Sequence, residues 1–155
     1  MAEQLSTEAR QILESNLRFG RAVVLVLLLI IVILLVVALL VPTGQANPAA
    51  GELIRPIYIA ELVAGLLVIV VRRLILSSWI LGISRRGGRG RVVQTLLFLS
   101  LFGGTVAVTM ALTALFVCWL TGESHHLLRL GGIGLLLALY SLPRRGEWSQ
   151  ALADL

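Results

Sequence analysis

A run of twenty residues without a polar side chain constrains this chain more than any other feature. It occupies positions 22–41 and reads AVVLVLLLIIVILLVVALLV. As a helix it is about 30 Å long, the thickness of the hydrocarbon core of a membrane. The apolar part of a cleaved signal peptide is shorter, about 7–15 residues, and begins close to the N-terminus. This run follows twenty-one residues that include several charged ones, so it predicts a retained membrane-spanning helix.

The overall composition supports the same class of protein. Apolar residues make up 58% of the 155 positions and charged residues only 14%, whereas soluble domains have about 45–50% and about 25%. These values exclude a soluble globular domain and a disordered chain. The net charge of +5 is not accompanied by any motif that reads nucleic acid, so we expect no nucleic-acid partner.

Three further spans are predicted at 54–71, 94–120 and 127–142. Arg72 and Arg73 end the second span, and Pro143 ends the fourth. If one helix continued through to position 84, both arginines would lie in lipid at about 2.5–3.5 kcal/mol each. We therefore expect residues 74–84 to form an amphipathic segment on the membrane surface.

The predicted fold is thus all-α, an integral membrane protein with four helical spans. Its other parts are an N-terminal helix over 1–21, the interfacial segment, a basic loop over 85–91 and a tail over 143–155. Arginines flank alternate ends of the spans: three before the first, six between the second and third, and two after the fourth. By the positive-inside rule both termini are cytoplasmic. Trp148 then fits an interfacial anchor on the inner side.

The basic residues after the second span have two interpretations. They either bind anionic lipid head groups or simply keep this loop in the cytoplasm. The residues are Arg72, Arg73, Arg85, Arg86, Arg89 and Arg91.

Small residues on the third and fourth spans predict close helix packing. Spacings of four residues place them on one helix face, where a second helix can approach. Thr105, Thr109 and Thr113 repeat at the same spacing, and a polar pathway along the third span is the alternative. The predicted packing residues are Gly103, Gly104, Ala107, Ala111, Gly131, Gly132 and Gly134.

Glu61 is the one carboxylate inside a predicted span, and intramembrane ionisable residues are functional candidates. Counting from the span starts places Glu61 about 7–8 Å deeper than Arg129. The two are candidates for an intramembrane polar pair. The alternatives are that Arg129 extends to the head groups, while Glu61 bonds to Tyr58 or stays protonated.

The sequence indicates no cofactor, no metal and no catalytic constellation. His125 and His126 follow Glu123 in GESHHLL. Adjacent histidines on a helix point about 100° apart, which makes them poor ligands for one metal, so we expect a solvated loop here. A single cysteine, Cys118, cannot form an internal disulfide.

The C-terminal segment LALYSLPRRGEWSQAL carries a resemblance. An apolar last helix ending in Pro-Arg-Arg and then Trp resembles an uncharacterised class of small bacterial four-helix membrane proteins. Members of that class often have a Glu-containing segment just before the Phe-Gly of the third span, which makes the class faintly similar to the proteolipid rotor subunits of rotary ATPases. This chain has Ser100 in that region, in LFLSLFGG, so the resemblance implies the fold but no ion-carrying residue.

Two functions are compatible with these features. The first is a non-catalytic integral subunit, or accessory or assembly factor, of a larger bacterial inner-membrane complex, with lipids and other integral subunits as partners. The second is a small transporter or proton-conducting subunit that uses Glu61.

Cysteine labelling tests the predicted topology. In a variant lacking Cys118, cysteines introduced within 42–53 should react with an impermeant reagent added to intact cells. Cysteines introduced within 85–91 should react only after the membrane is broken. The reverse pattern would show that the arginine distribution does not set the orientation of this chain.

Overall fold

A computed structural model describes residues 7–40, 51–76 and 89–153, and all regular structure in these ranges is α-helical. The helices are α1 (Thr7–Leu40), α2 (Gly51–Leu76), α3 (Arg89–Thr121), α4 (Ser124–Ser141) and α5 (Arg145–Ala153). Four stretches are long and apolar enough to cross a membrane: Leu13–Leu40, Gly51–Ile75, Gly90–Thr121 and Ser124–Ser149. The prediction of an all-α chain with four helices able to span a membrane is confirmed.

The first helix is longer than the sequence predicted. Instead of a separate N-terminal helix over 1–21, one helix runs continuously from Thr7 to Leu40. Its buried residues Leu13, Leu17, Val24 and Ile31 follow helical spacing across the predicted boundary, so they form one continuous packing stripe. The change from polar to apolar residues near position 22 alters the surroundings of the helix but not its conformation.

The boundaries around the predicted surface segment also differ. Helix α2 extends to Leu76, so residues 74–76 continue the second span. Helix α3 begins at Arg89, inside the predicted basic loop. The rest of the interfacial segment, together with Arg85 and Arg86, lies outside the described residues.

Helices α3 and α4 form the centre of the bundle, with α1 packed against both and α2 at the periphery. Ala107 and Ala111 are completely buried in the middle of the bundle, beside Met110 and Ala138. The α3–α4 turn is tight. Gly122 adopts a φ of 71° there and its N–H donates to the carbonyl of Cys118 at 2.9 Å.

The glycines of the two central helices serve two different contacts. Gly103 and Gly134 lie between α3 and α4, where an added methyl group would meet Ser141 and the backbone carbonyl of Ala107, respectively. Gly104 and Gly131 face α1 instead, at Leu27 and Leu35. Gly132 belongs to neither contact, because a methyl group there would meet nothing within 4 Å.

The C-terminal tail forms a helix that packs against one end of the bundle. Trp148 of α5 is 1% exposed and lies in a cluster with Leu13, Leu17, Val92 and Leu96. The prediction of Trp148 as an interfacial anchor was therefore wrong. The indole seals the bundle end between α1 and α3. We call this the α5 end, and the opposite end, at the α3–α4 turn, the histidine end.

Two alanine substitutions in α4 test the packing. Both Gly132→Ala and Gly134→Ala raise helix propensity by about 1 kcal/mol. At Gly134 the new methyl group would lie 2.9 Å from the Ala107 carbonyl oxygen and 3.3 Å from the Met110 Cβ, so α3 and α4 must separate. We expect a net loss of about 1–2 kcal/mol for Gly134→Ala and no loss for Gly132→Ala, measured by unfolding in detergent. Equal stabilities would mean that α4 does not approach α3 this closely.

Candidate functional site

Helices α2 and α4 run parallel in a constant register. The Tyr58 hydroxyl and His126 Nδ1 lie 2.9 Å apart at the histidine end. Arg72 contacts Tyr140 near the α5 end. Both pairs are separated by 68 residues, and they lie fourteen residues, or about 21 Å, apart along each helix. The two contacts thus join α2 to α4 at two levels.

Arg72 is the most extensively bonded polar residue of the chain's described part. Its side chain is 5% exposed, and its Nη2 lies 2.8 Å from Glu147 Oε2. Its guanidinium also donates to the carbonyl oxygens of Tyr140 and Leu142, and its Cζ lies 4.8 Å from the centre of the Tyr140 ring. One side chain of α2 thereby holds the corner between α4 and α5.

The location of Arg72 explains why the charge is tolerated. Helix α4 ends at Ser141, two residues before Pro143. Its last carbonyl oxygens therefore have no N–H within the helix from which to accept a hydrogen bond. A cation at the C-terminus of a helix, such as Arg72 beside α4, interacts favourably with the helix dipole. An anion at the N-terminus of a helix does the same, and Glu147 lies in the first turn of α5. Arg72 therefore meets two orphan carbonyls, one carboxylate and one aromatic face.

This arrangement corrects the role predicted for Arg72. We expected the second span to end at Arg72, with the side chain either binding head groups or keeping the loop in the cytoplasm, but it is buried inside the protein. Arg73 and Arg91 are exposed. The contacts of Arg72 with Tyr140 and Glu147 were not predicted from the sequence. A usable signal was present for Glu147, which lies four residues after a proline that ends a helix.

Between its two contacts α2 stands away from α4 and leaves a groove of about 500 Å³. Its volume is in the range of pockets that receive small ligands. Glu61 and Tyr140 are its polar lining residues, and the rest of the lining is aliphatic or glycine: Leu62, Gly65, Leu66, Ile69, Ile133, Leu136 and Leu137.

Glu61 and Arg129 lie at the same level without forming an ion pair. Positions 61 and 129 are also 68 residues apart, so the register set by the two contacts gives them equal depth. The offset of 7–8 Å calculated from the span starts does not hold. No hydrogen bond or ion pair joins Glu61 to any residue that the structure describes. Tyr58, the alternative partner, bonds to His126 instead.

The threonines of α3 do not line a polar pathway. Thr105, Thr109 and Thr113 each donate a hydroxyl hydrogen bond to the carbonyl four residues earlier, at 2.9–3.1 Å. Thr105 and Thr109 point out of the bundle. Their hydroxyls are satisfied within their own helix, as is common for threonine in membrane helices.

The histidine end holds a second polar cluster. Glu123 Oε2 lies 3.1 Å from His126 Nε2 and 3.4 Å from His125 Nε2. The two imidazole rings are 4.0 Å apart between centroids. The prediction of a solvated loop was wrong for His126, which lies in the first turn of α4 and is 7% exposed. Helix geometry directs neighbouring side chains about 100° apart, yet both Nε2 atoms lie close to the carboxylate of Glu123, which precedes them in the chain.

No known protein family, curated protein or solved structure matches this chain. The resemblance to small bacterial four-helix proteins therefore stays a prediction. The fold identifies the class of protein, a helical membrane protein with four potential spans.

Replacing Arg72 tests the α5 end. Arg72→Gln removes the charge and leaves Glu147 and two carbonyls without their main partner. We expect a loss of about 3 kcal/mol in the free energy of unfolding, as for a broken buried ion pair. The adjacent exposed residue provides the control, since Arg73→Gln should change stability by less than about 0.5 kcal/mol. If both variants unfold alike, Arg72 does not hold the corner. Faster proteolysis of α5 in Arg72→Gln alone would provide independent support.

Proposed function

We propose that this chain is a non-catalytic integral subunit, or accessory or assembly factor, of a larger bacterial inner-membrane complex, with both termini in the cytoplasm. In this proposal the groove between α2 and α4 receives a transmembrane helix of another subunit. The observation that carries the proposal is Glu61, which lines an almost entirely apolar groove and whose carboxylate pairs with no residue that the structure describes.

The burial of the four spans supports a role in assembly. Only 11% of the residues in the most apolar stretches of α1 and of α2 are buried, against 44% in α3 and 50% in the fourth candidate span. Lipid satisfies an exposed apolar face, so α1 needs no protein partner. Lipid chains offer nothing to a carboxylate, however, and an unpaired acid in hydrocarbon is costly. The groove face of α2 thus differs from the lipid-facing surface of α1.

The chemistry of the groove indicates what kind of helix fits. Leu62 and Leu136 offer exposed apolar contact, so the incoming helix is expected to carry aliphatic residues on one face. At the level of Glu61 it should present a hydrogen-bond donor or a basic side chain. Arg129 is exposed at the same level and is suited to an acidic or carbonyl group of the same partner.

Filling the groove should dissociate the complex. Leu136 lines the groove and is 67% exposed, and Leu112 of α3 is 48% exposed outside it. Extracted in mild detergent, the wild-type chain should migrate in a particle much larger than its own 16.8 kDa. Leu136→Trp should release the free chain, because the indole occupies the groove. Leu112→Trp should not.

The same experiment has outcomes that contradict the proposal. A wild-type chain that migrates alone, or as a multiple of itself, is not a subunit of a larger hetero-complex. Equal behaviour of the two tryptophan variants would place the interface elsewhere. Glu61→Leu should weaken assembly by about threefold to thirtyfold, which corresponds to the 0.6–2 kcal/mol of an interhelical hydrogen bond.

The alternative function, proton conduction through Glu61, rests on the same unpaired carboxylate. It lacks support from a relay, since Tyr140 is the only other polar residue of the groove lining. Vesicles that contain the purified chain and a pH-sensitive dye distinguish the two. A proton flux that disappears in Glu61→Gln would favour conduction over assembly.

A further inference from the structure

We propose that Glu123, His125 and His126 form a binding site for a divalent transition metal, with Zn²⁺ as the best fit. The three residues offer one ligand atom each, and these atoms all lie within 4.8 Å of one another. The site lies at the histidine end and is separate from the groove and from the Arg72 corner.

The distances are close to those that a metal requires. Zn²⁺ holds imidazole nitrogens and carboxylate oxygens at about 2.0–2.2 Å, so neighbouring ligands in a tetrahedron are about 3.4 Å apart. The carboxylate oxygen is 3.1 Å from one Nε2 and 3.4 Å from the other. All three ligand atoms lie within 4.8 Å of one another, so a rotation of the exposed His125 side chain is enough to bring them to the spacing of a metal site.

The surrounding structure holds two of the ligands in place. The Tyr58 hydroxyl bonds to Nδ1 of His126, which fixes the ring and leaves Nε2 to face Glu123. Such an outer-shell hydrogen bond to the second ring nitrogen is the usual support of a metal-binding histidine. Glu123 lies in extended backbone, and its N–H donates to the Thr121 hydroxyl at 3.2 Å.

The ligand set selects among metals. Two imidazoles and one carboxylate suit Zn²⁺ and its first-row neighbours, whereas Mg²⁺ and Ca²⁺ require mainly oxygen ligands. Three protein ligands leave a fourth position for water. The side chains of Glu123 and His125 are 57% and 50% exposed, so this position is open to solvent. The positive charge of Arg129, one turn further along α4, opposes a bound cation, and the Glu123 carboxylate offsets it.

Metal titration of the tag-free chain tests the site. The chain contains only two histidines, so no other imidazole contributes. After treatment with a chelator, the detergent-solubilised protein should bind one Zn²⁺ by calorimetry, and its Tm should rise with Zn²⁺ concentration. Co²⁺ should give the intense visible absorption of a low-coordinate site.

Variants decide whether these three residues are the ligands. Glu123→Gln and His125→Ala change exposed side chains and should fold, yet each should abolish the one-to-one binding. Tyr58→Phe should weaken it by about 10–100-fold. Glu52→Gln and Cys118→Ala should bind as the wild type does. The proposal is overturned if the wild type binds no Zn²⁺, or if binding survives in Glu123→Gln and His125→Ala.

Discussion

The guanidinium of Arg72 is the interaction on which the architecture depends. A guanidinium has only hydrogen-bond donors. It closes the corner between α4 and α5 by donating to carbonyl oxygens that the end of α4 leaves unpaired. Through Glu147 it also fixes the first turn of α5, which in turn places Trp148 against α1 and α3. Two contacts from α1 reinforce the corner, Arg21 to the Pro143 carbonyl and Glu14 to Arg145. Helix α5 thus covers the bundle end because Arg72 of α2 donates hydrogen bonds to two backbone carbonyls and to Glu147.

Attachment of α2 at two levels has a consequence for the space between them. Side chains near Tyr58 and Arg72 bring α2 to α4, and the intervening 21 Å rely on aliphatic residues, which gain little from one another when lipid is the solvent. Packing in the rest of the bundle comes from backbone approach instead, at Gly103, Gly134 and Ala107. Helix α2 contributes Gly65 to that approach, against Met110 of α3. The groove therefore lies between the two polar contacts that join α2 to α4.

The spans were predictable because hydropathy measures how favourably each side chain moves from water into an apolar phase, independently of its neighbours in the fold. The run at 22–41 needs no knowledge of its neighbours to be placed in lipid. Arg72 and Trp148 were misplaced for the opposite reason, since the cost of burying a guanidinium or the gain of burying an indole depends on partners that lie more than 50 positions away along the chain. Gly132 was grouped with Gly131 and Gly134 because spacing identifies a small surface, but only the crossing geometry decides which glycines face a helix. The register of α2 on α4 likewise requires two specific contacts, which counting from span ends does not supply.

The two polar contacts of α2 differ in strength, so the two ends of the groove are not equally stable. At the histidine end a single neutral hydrogen bond joins Tyr58 to His126, worth about 0.5–1.5 kcal/mol net. At the α5 end Arg72 combines a buried ion pair with carbonyl bonds, and breaking such a pair costs about 3–5 kcal/mol. For a partner helix that enters the groove as proposed, we expect the hydrogen bond between Tyr58 and His126 to break before the polar contacts of Arg72. Glu61 lies about one turn from Tyr58, so under the proposed function an entering helix would meet this carboxylate before it disturbs the corner that holds α5.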